Sequence, residues 1–211
     1  MHIIFDFDGT IADTSPGILS CLAETFVEMG VSVPDDLRRF IGPPLLPAMM
    51  EFCGMDKETA EKALVTYRVH YSDHGMYDAY LYDGVREMLD RLKEKGHKLY
   101  IGTSKPESFA VKMLEALGVS EYFTIICGAI MDTKRNRKAD VLAELFRRIG
   151  SSPQDEGTDG MWCMIGDRIY DAEGAAEFGM PCIGVLWGFG SAEEFTGCTI
   201  VKTPAELTEL F

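Results

Sequence analysis

The sequence predicts an α/β protein: a doubly wound parallel sheet carrying a small all-α domain inserted after its first strand. Three observations lead there. Short runs that are apolar almost throughout alternate with amphipathic helical patterns, as expected of parallel strands covered on both faces. That alternation stops over residues 15–79, where every periodic stretch is helical. The singular polar residues stand at the C-terminal ends of the apolar runs, where open α/β sheets bind ligands.

The first run, "HIIFDF" at residues 2–7, ends in Asp6 and Asp8, followed by Gly9 and Thr10. Acidic residues form strands poorly and are costly to bury, so the pair needs a reason. The helical block follows. Ile18, Leu22, Phe26 and Met29 make one stripe, and Ala60, Leu64, Tyr67 and Tyr71 another, with a Pro- and Gly-rich stretch "RRFIGPPLLPAMMEFCG" between them. Inserted after the first strand, such a block is expected to act as a lid or cap, giving a core of residues 1–14 and 80–211 and a cap of 15–79.

Strand rhythm then resumes. Val85, Met88, Leu89 and Leu92 recur at helical spacing before Gly96, and "KLYIGTS" is the next strand. Ala110, Met113, Leu114 and Leu117 precede Gly118 and the strand "FTIICG". Val141, Leu142, Leu145 and Ile149 precede Gly150; glycine after the last periodic residue is a helix stop. Residues 151–160 are polar and glycine-containing, and disorder is expected there. "WCMIGD", "PCIGVLWG" and "TIVKT" complete the sheet, and Thr203, Pro204 and Glu206 open a last helix with a cap and a proline at its first position.

Composition narrows the partners. A net charge of −14 argues against a nucleic-acid backbone or an anionic membrane. The six cysteines include no Cys-x-x-Cys pair, and three lie in apolar runs, which fits a reducing cytoplasm better than zinc or disulfides. Neither a basic leader nor an apolar run approaching 18 residues is visible. A soluble cytoplasmic protein is expected, with oligomeric state open.

Parallel strands bring their ends to one edge, so Asp6, Asp8, Thr103, Ser104, Asp167 and Asp171 converge, with Lys138 opening a helix nearby. Like charges that close raise one another's pKa unless a cation neutralises them. Carboxylates without His or Cys favour Mg²⁺, which shares its shell with water and substrate phosphate. Gly9 and Thr10 supply a turn whose N–H groups can face an anion. "SKPE" suggests a helix start that could do the same, and Lys138 would neutralise phosphate charge. Plainer readings stand beside these. Asp-Gly is a common turn signal, Ser104 could cap a helix with Glu107, Lys138 lies in a basic run with Lys134, Arg135 and Arg137, and Asp171 could cap its own helix. His70 and His74, four apart, show no third ligand in the sequence. "GFGSAE" is a lone Gly-x-Gly without a dinucleotide fingerprint.

Four segments in order, "DFDGT", "IGTSKP", "GAIMDTKRNRKADV" and "IGDRIYDAEGA", resemble the motifs of the haloacid dehalogenase superfamily in its phosphatase branch. The insert with "FIGPPL" and the re-entry at "DGVREML" resemble phosphoglycolate-phosphatase-like members with a helical cap. The resemblance implies a Rossmann-like core and a Mg²⁺-dependent phosphatase acting on a small phosphorylated metabolite through an aspartyl-phosphate. Asp6 then matches the nucleophile and Asp8 the general acid–base. Asp6, the backbone carbonyl of Asp8, and Asp167 match the metal ligands, with Asp171 supporting the metal's water shell or orienting Lys138. Gly9, Thr10, Thr103, Ser104 and Lys138 match the phosphate site; Arg135 has a match of undefined role. Asp8 argues against a haloalkanoate dehalogenase, whose halide needs no acid. A sugar-phosphate mutase and a non-catalytic regulatory member are the alternatives. The substrate is left open, with specificity expected around Arg38, Arg39, Ile41, Gly42, Pro43 and Pro44.

Overall fold

The computed structural model describes residues 1–130, 135–155 and 161–211. Residues 131–134 of the lysine-bearing segment, and half of the 151–160 stretch expected to be disordered, lie outside these. Residues 151–155 form a turn in which the Ser152 N–H donates to Asp155 Oδ2 at 2.7 Å.

The chain runs through β1 (His2–Phe5), β2 (Ala12–Asp13), α1 (Ser15–Glu28), α2 (Leu45–Cys53), α3 (Lys57–Asp73) and β3 (Tyr80–Leu81). It continues with α4 (Val85–Glu94), β4 (Lys98–Pro106), α5 (Glu107–Ala116), β5 (Phe123–Ala129) and α6 (Lys138–Ile149). β6 (Trp162–Gly166), α7 (Ile169–Ala176), β7 (Cys182–Val185), β8 (Thr199–Val201) and α8 (Pro204–Glu209) end it. Six strands form one parallel sheet in the order β5-β4-β1-β6-β7-β8. The expected doubly wound α/β fold is present.

β1 is central and pairs with β4 on one side and β6 on the other. Its residues are all buried, which explains an apolar run without alternation. Side chains still alternate between faces. Ile4, Tyr100, Cys127 and Met164 pack with Val141, Leu142, Leu145 and Phe146 of α6 and Ala175 of α7. Gly128, one residue beyond Cys127, turns to the opposite face, where a Cβ would stand 2.6 Å from the Glu107 backbone at the start of α5. The chain therefore leaves β1 toward β4 and returns past it to β6, and a crevice opens at the carboxyl end of β1.

Contacts divide the described residues into two compact units, Met1–Asp13 with Tyr80–Phe211, and Thr14–Ala79. The second is helical. Asp56 caps α3 by accepting the Thr59 N–H at 2.8 Å, and Asp36 caps the short helix Leu37–Phe40 through the Arg38 N–H at 3.0 Å. Leu22, Phe26, Phe40, Met49, Tyr67 and Tyr71 form its core, with Phe40 tilted between Phe26 and Phe52. In the first unit, β2 and β3 form an antiparallel ribbon pairing Ala12 with Leu81 and Asp13 with Tyr80.

One local expectation is corrected. "SKPE" does not start a helix at Ser104: β4 runs on to Pro106 and α5 begins at Glu107. The residue before a proline avoids the helical region, so Lys105 stays extended. Glu107 consequently caps nothing at Ser104, which is exposed. Its carboxylate takes the Gly128 N–H and pairs with Arg135 and Arg148.

Candidate active site

Asp6 leaves the end of β1 with its N–H donated to Ile165 O of β6 at 2.9 Å. Its Oδ1 accepts the Phe7 N–H at 2.7 Å and lies 3.0 Å from Lys138 Nζ. The next residues fold into a tight loop in which the N–H groups of Thr10, Ile11 and Ala12 all reach Phe7 O. Gly9 closes it at φ +78°, and a Cβ there would overlap the Asp167 carboxylate. Both facts require glycine.

Lys138, the first residue of α6, is buried and spends its three N–H donors on Asp6, on Asp171 Oδ1 at 2.7 Å and on Gly102 O at 2.9 Å. Its stem crosses Gly174 of α7, where a Cβ would stand 2.6 Å from Lys138 Cγ. Of the three roles the sequence left open for Asp171, the structure shows the contacts of two, the helix cap and the partner of Lys138. It accepts the Arg168 N–H at 3.1 Å as the helix cap and binds Lys138 with its other oxygen. Asp167 is fully buried, takes the Thr10 hydroxyl on Oδ1 at 3.2 Å and the Phe189 N–H on Oδ2 at 2.8 Å, and among the described residues pairs with no ammonium group.

Asp8 points to a different partner. Its Oδ1 lies 2.9 Å from Lys105 Nζ, so its carboxylate stands apart from the group of Asp6, Asp167 and Asp171, whose oxygens come within 4.8 Å of one another. Thr103 is buried, and its Oγ1 accepts the Lys105 N–H at 3.2 Å, leaving the hydroxyl proton to be donated. Arg135 is not part of this constellation: it clamps Gly128 O at 2.9 Å and pairs with Glu107 and Glu144.

The electrostatics follow from burial. Asp167 is raised well above the ordinary carboxylate range by desolvation, then by the charges of Asp171 and Asp6, against the opposing Phe189 and Thr10 hydrogen bonds. Burial pushes Asp171 up to about 6 although Lys138 opposes it. Burial alone would lower Lys138, but Asp171 and Asp6 outweigh it and hold the ammonium above its usual value. Among the described residues, the lysines paired with Asp6, Asp8, Asp167 and Asp171 are Lys105 and Lys138, which leaves two negative charges for a dication. The all-oxygen donor set fits Mg²⁺, with Asp6 and Asp167 as holders and Asp171 already taken by Lys138.

Lys105 and the loop after β7 are absent from the sequence-based set. Trp187 Nε1 donates to Thr10 O at 3.0 Å, and a Cβ on either Gly188 or Gly190 would overlap Asp167. "GFG" is thus a close-approach loop that secures Asp167, and its signal was glycine at alternate positions beside a strand end. Replacing Lys138 with Met strands the buried Asp171 and the part-buried Asp6. It is expected to cost about 3–5 kcal/mol of stability, read from denaturant unfolding of the metal-free protein.

A strand-end carboxylate two residues from a second aspartate, a buried lysine and a three-carboxylate cluster make up this candidate site. The family model described as haloacid dehalogenase-like hydrolase matches residues 3–185, and the chain belongs to that family. A 5′-nucleotidase of Pseudomonas aeruginosa is 37% identical over 196 residues, covering 92% of this chain and 86% of that protein. The tyrosine-protein kinase PtkA of Mycobacterium tuberculosis is 35% identical over 211 residues, covering 99% and 70%. The crystal structure of a predicted phosphatase from Clostridium acetobutylicum superposes with a TM-score of 0.89 at 35% identity, covering 99% and 96%. Phosphoglycolate phosphatases are also among the relatives. The protein is an enzyme of the phosphatase branch, a phosphomonoester hydrolase. Among the described residues, no helix is long and apolar enough to cross a membrane.

Proposed function

We propose that the enzyme hydrolyses a small phosphomonoester metabolite in a Mg²⁺-dependent reaction through a phosphoenzyme on Asp6. The observation that carries this is Asp6 itself, fixed at the mouth of β1 by Lys138 at 3.0 Å and close to Asp167, which has no ammonium partner among the described residues. An Asp6 oxygen attacks phosphorus, the ester P–O bond breaks, and Asp8 gives its proton to the departing oxygen. Asp8 then takes a proton from water, whose oxygen attacks the aspartyl-phosphate and releases inorganic phosphate and the free carboxylate. Thr103 donates its hydroxyl to a phosphoryl oxygen, whereas the Gly9 and Thr10 N–H groups, expected from the sequence to face the same anion, are spent inside the loop on Ala12 O and Phe7 O. Lys138, with every donor engaged, neutralises and aims Asp6 instead of grasping substrate. Lys105 positions Asp8. Bound Mg²⁺ supplies charge stabilisation for the transferring phosphoryl group.

The relatives' names support nucleoside 5′-monophosphates and phosphoglycolate as the first substrates to test. The helical unit Thr14–Ala79 serves in this reading as the cap that selects among them. In it the Arg39 guanidinium lies 4.2 Å over the Phe52 ring, so of the two arginines expected to set specificity it is partly committed to packing. Phosphate release from a metabolite panel is expected to require Mg²⁺, to disappear with EDTA and to return on adding Mg²⁺ in excess. Turnover that persists in EDTA refutes the metal, and silence on every phosphomonoester refutes the phosphatase. Phosphoryl transfer between sugar phosphates identifies the mutase instead.

A further inference from the structure

His70 and His74 lie one turn apart at the end of α3, and the fold brings them the partners the sequence did not show. α1 packs along α3 and presents Cys21, Glu24 and Glu28, spaced three and four apart on one face. Cys21 Sγ is 3.8 Å from His74 Nε2, and Glu24 is 3.1 Å from the same nitrogen through Oε2. The ligand atoms of Cys21, Glu24 and His74 all fall within 4.8 Å of one another. On the far side, His70 Nδ1 is 3.5 Å from Glu24 Oε2, and His70 Nε2 is 2.8 Å from Glu28 Oε2.

We propose that Cys21, Glu24 and His74 form a transition-metal site of the Zn²⁺ type within the helical unit, with His70 and Glu28 holding Glu24 from behind. Thiolate, imidazole and carboxylate bonds to Zn²⁺ of about 2.0–2.3 Å in a tetrahedral arrangement require ligand atoms about 3.4–3.6 Å apart. The observed 3.8 and 3.1 Å bracket that edge length, and the third edge, from Cys21 to Glu24, is within 4.8 Å. The mixed sulfur, nitrogen and oxygen set suits Zn²⁺ and disfavours Mg²⁺ or Ca²⁺. Charge agrees: Glu24 and Glu28 pair with no lysine or arginine among the described residues, only with the two histidines, and Asp73 lies 3.8 Å from His74 Nδ1. The sulfur end is built in. Cys21 is fully buried, and a Cβ on Gly75 would overlap its Sγ, so the chain after α3 closes on the thiol with no room for a larger residue. His74 and Glu24 keep roughly half of their side-chain surface in solvent, which provides the entry path and leaves the fourth position to water. On coordination the thiol releases its proton to solvent.

Co²⁺ titration of the full chain tests this. A bound Co²⁺ with a sulfur ligand shows an intense thiolate-to-metal charge-transfer band, which the all-oxygen cluster at Asp6 and Asp167 cannot give. The expected result is one such band at one equivalent, displaced by Zn²⁺, unchanged in Asp167→Asn and lost in Cys21→Ala. Since Cys21 is buried and its variant can fail to fold, the exposed variants His74→Ala and Glu24→Gln give a second reading. Each is expected to abolish the band or to weaken Zn²⁺ binding at least 100-fold, and Glu28→Gln to weaken it about 10–100-fold. Absence of a band in the wild-type chain, or a band that survives His74→Ala and Glu24→Gln, overturns the site.

Discussion

Replacing Asp6 with Asn is expected to lower phosphomonoester turnover by about 10⁴-fold or more, the scale on which losing a nucleophile acts. Phosphoenzyme trapped by acid quench should vanish with it. The fold should survive. The amide keeps an oxygen for the Phe7 N–H, and Lys138 retains Asp171 and Gly102 O as partners. Removing one of three crowded carboxylates also relieves repulsion on Asp167 and Asp171, where Asp6 is a raising influence. Activity loss without loss of the unfolding transition is therefore the signature. Near-normal turnover in this variant would sink the nucleophile assignment.

Replacing Asp167 with Asn is expected to produce the opposite pairing of effects, a more stable protein that no longer responds to Mg²⁺. Asp167 has a folded value above its unfolded one, because burial and two neighbouring carboxylates disfavour its charge. Such a group favours the fold below the ordinary carboxylate range and weakens it once pH passes the raised value. At neutral pH, without metal, the ionised form is a standing cost. The Asn oxygen can keep the Phe189 N–H, and its amino group can donate to Thr10 Oγ1, so both hydrogen bonds have a replacement. A gain of about 1–2 kcal/mol corresponds to a Tm rise of about 2–8 °C for a chain of this size. The gap to wild type should close as pH falls toward 4, where both side chains are neutral. Wild-type Tm should climb with added Mg²⁺ and the variant's should not. A variant less stable than wild type in EDTA at neutral pH would show that Asp167 is held by hydrogen bonding more than it is penalised by burial.

The inner strands β1, β6 and β7 were legible because each is buried throughout and therefore apolar without interruption; "HIIF" and "WCMIG" admit no amphipathic helix. The helix stops were legible because residues such as Gly150 sit at φ +76° directly after the periodic stripe. The convergence of Asp6, Asp167, Asp171 and Lys138 was legible from strand-end position alone, since a parallel sheet delivers its ends to one edge. What escaped was of two kinds. Lys105 was hidden by its proline, because Ser-Lys-Pro resembles a helix start in composition while pre-proline sterics extend the strand and send the ammonium to Asp8. Arg135, Glu107, Arg148 and Glu144 form an ion-pair network joining the loop after β5 to α5 and α6, of which local spacing announces only the Glu144–Arg148 pair, four apart on α6. Partners across elements escaped for the same reason. His70 and His74 looked unaccompanied because Cys21 and Glu24 are about fifty residues away along the chain.

The ribbon of β2 and β3 has an architectural consequence. Pairing Asp13 directly with Tyr80 fixes the exit and return points of the helical insertion about 5 Å apart on the first unit. Chain length between two points already clamped together adds little to the entropy of folding, roughly 0.6 kcal/mol per doubling. The core is therefore indifferent, in free-energy terms, to how much polypeptide hangs from that ribbon. The intervening helices can therefore be lengthened, shortened or exchanged at little cost to β1 and its aspartates. The ribbon is a socket, and a different helical insert fits it as a cartridge without rebuilding the sheet.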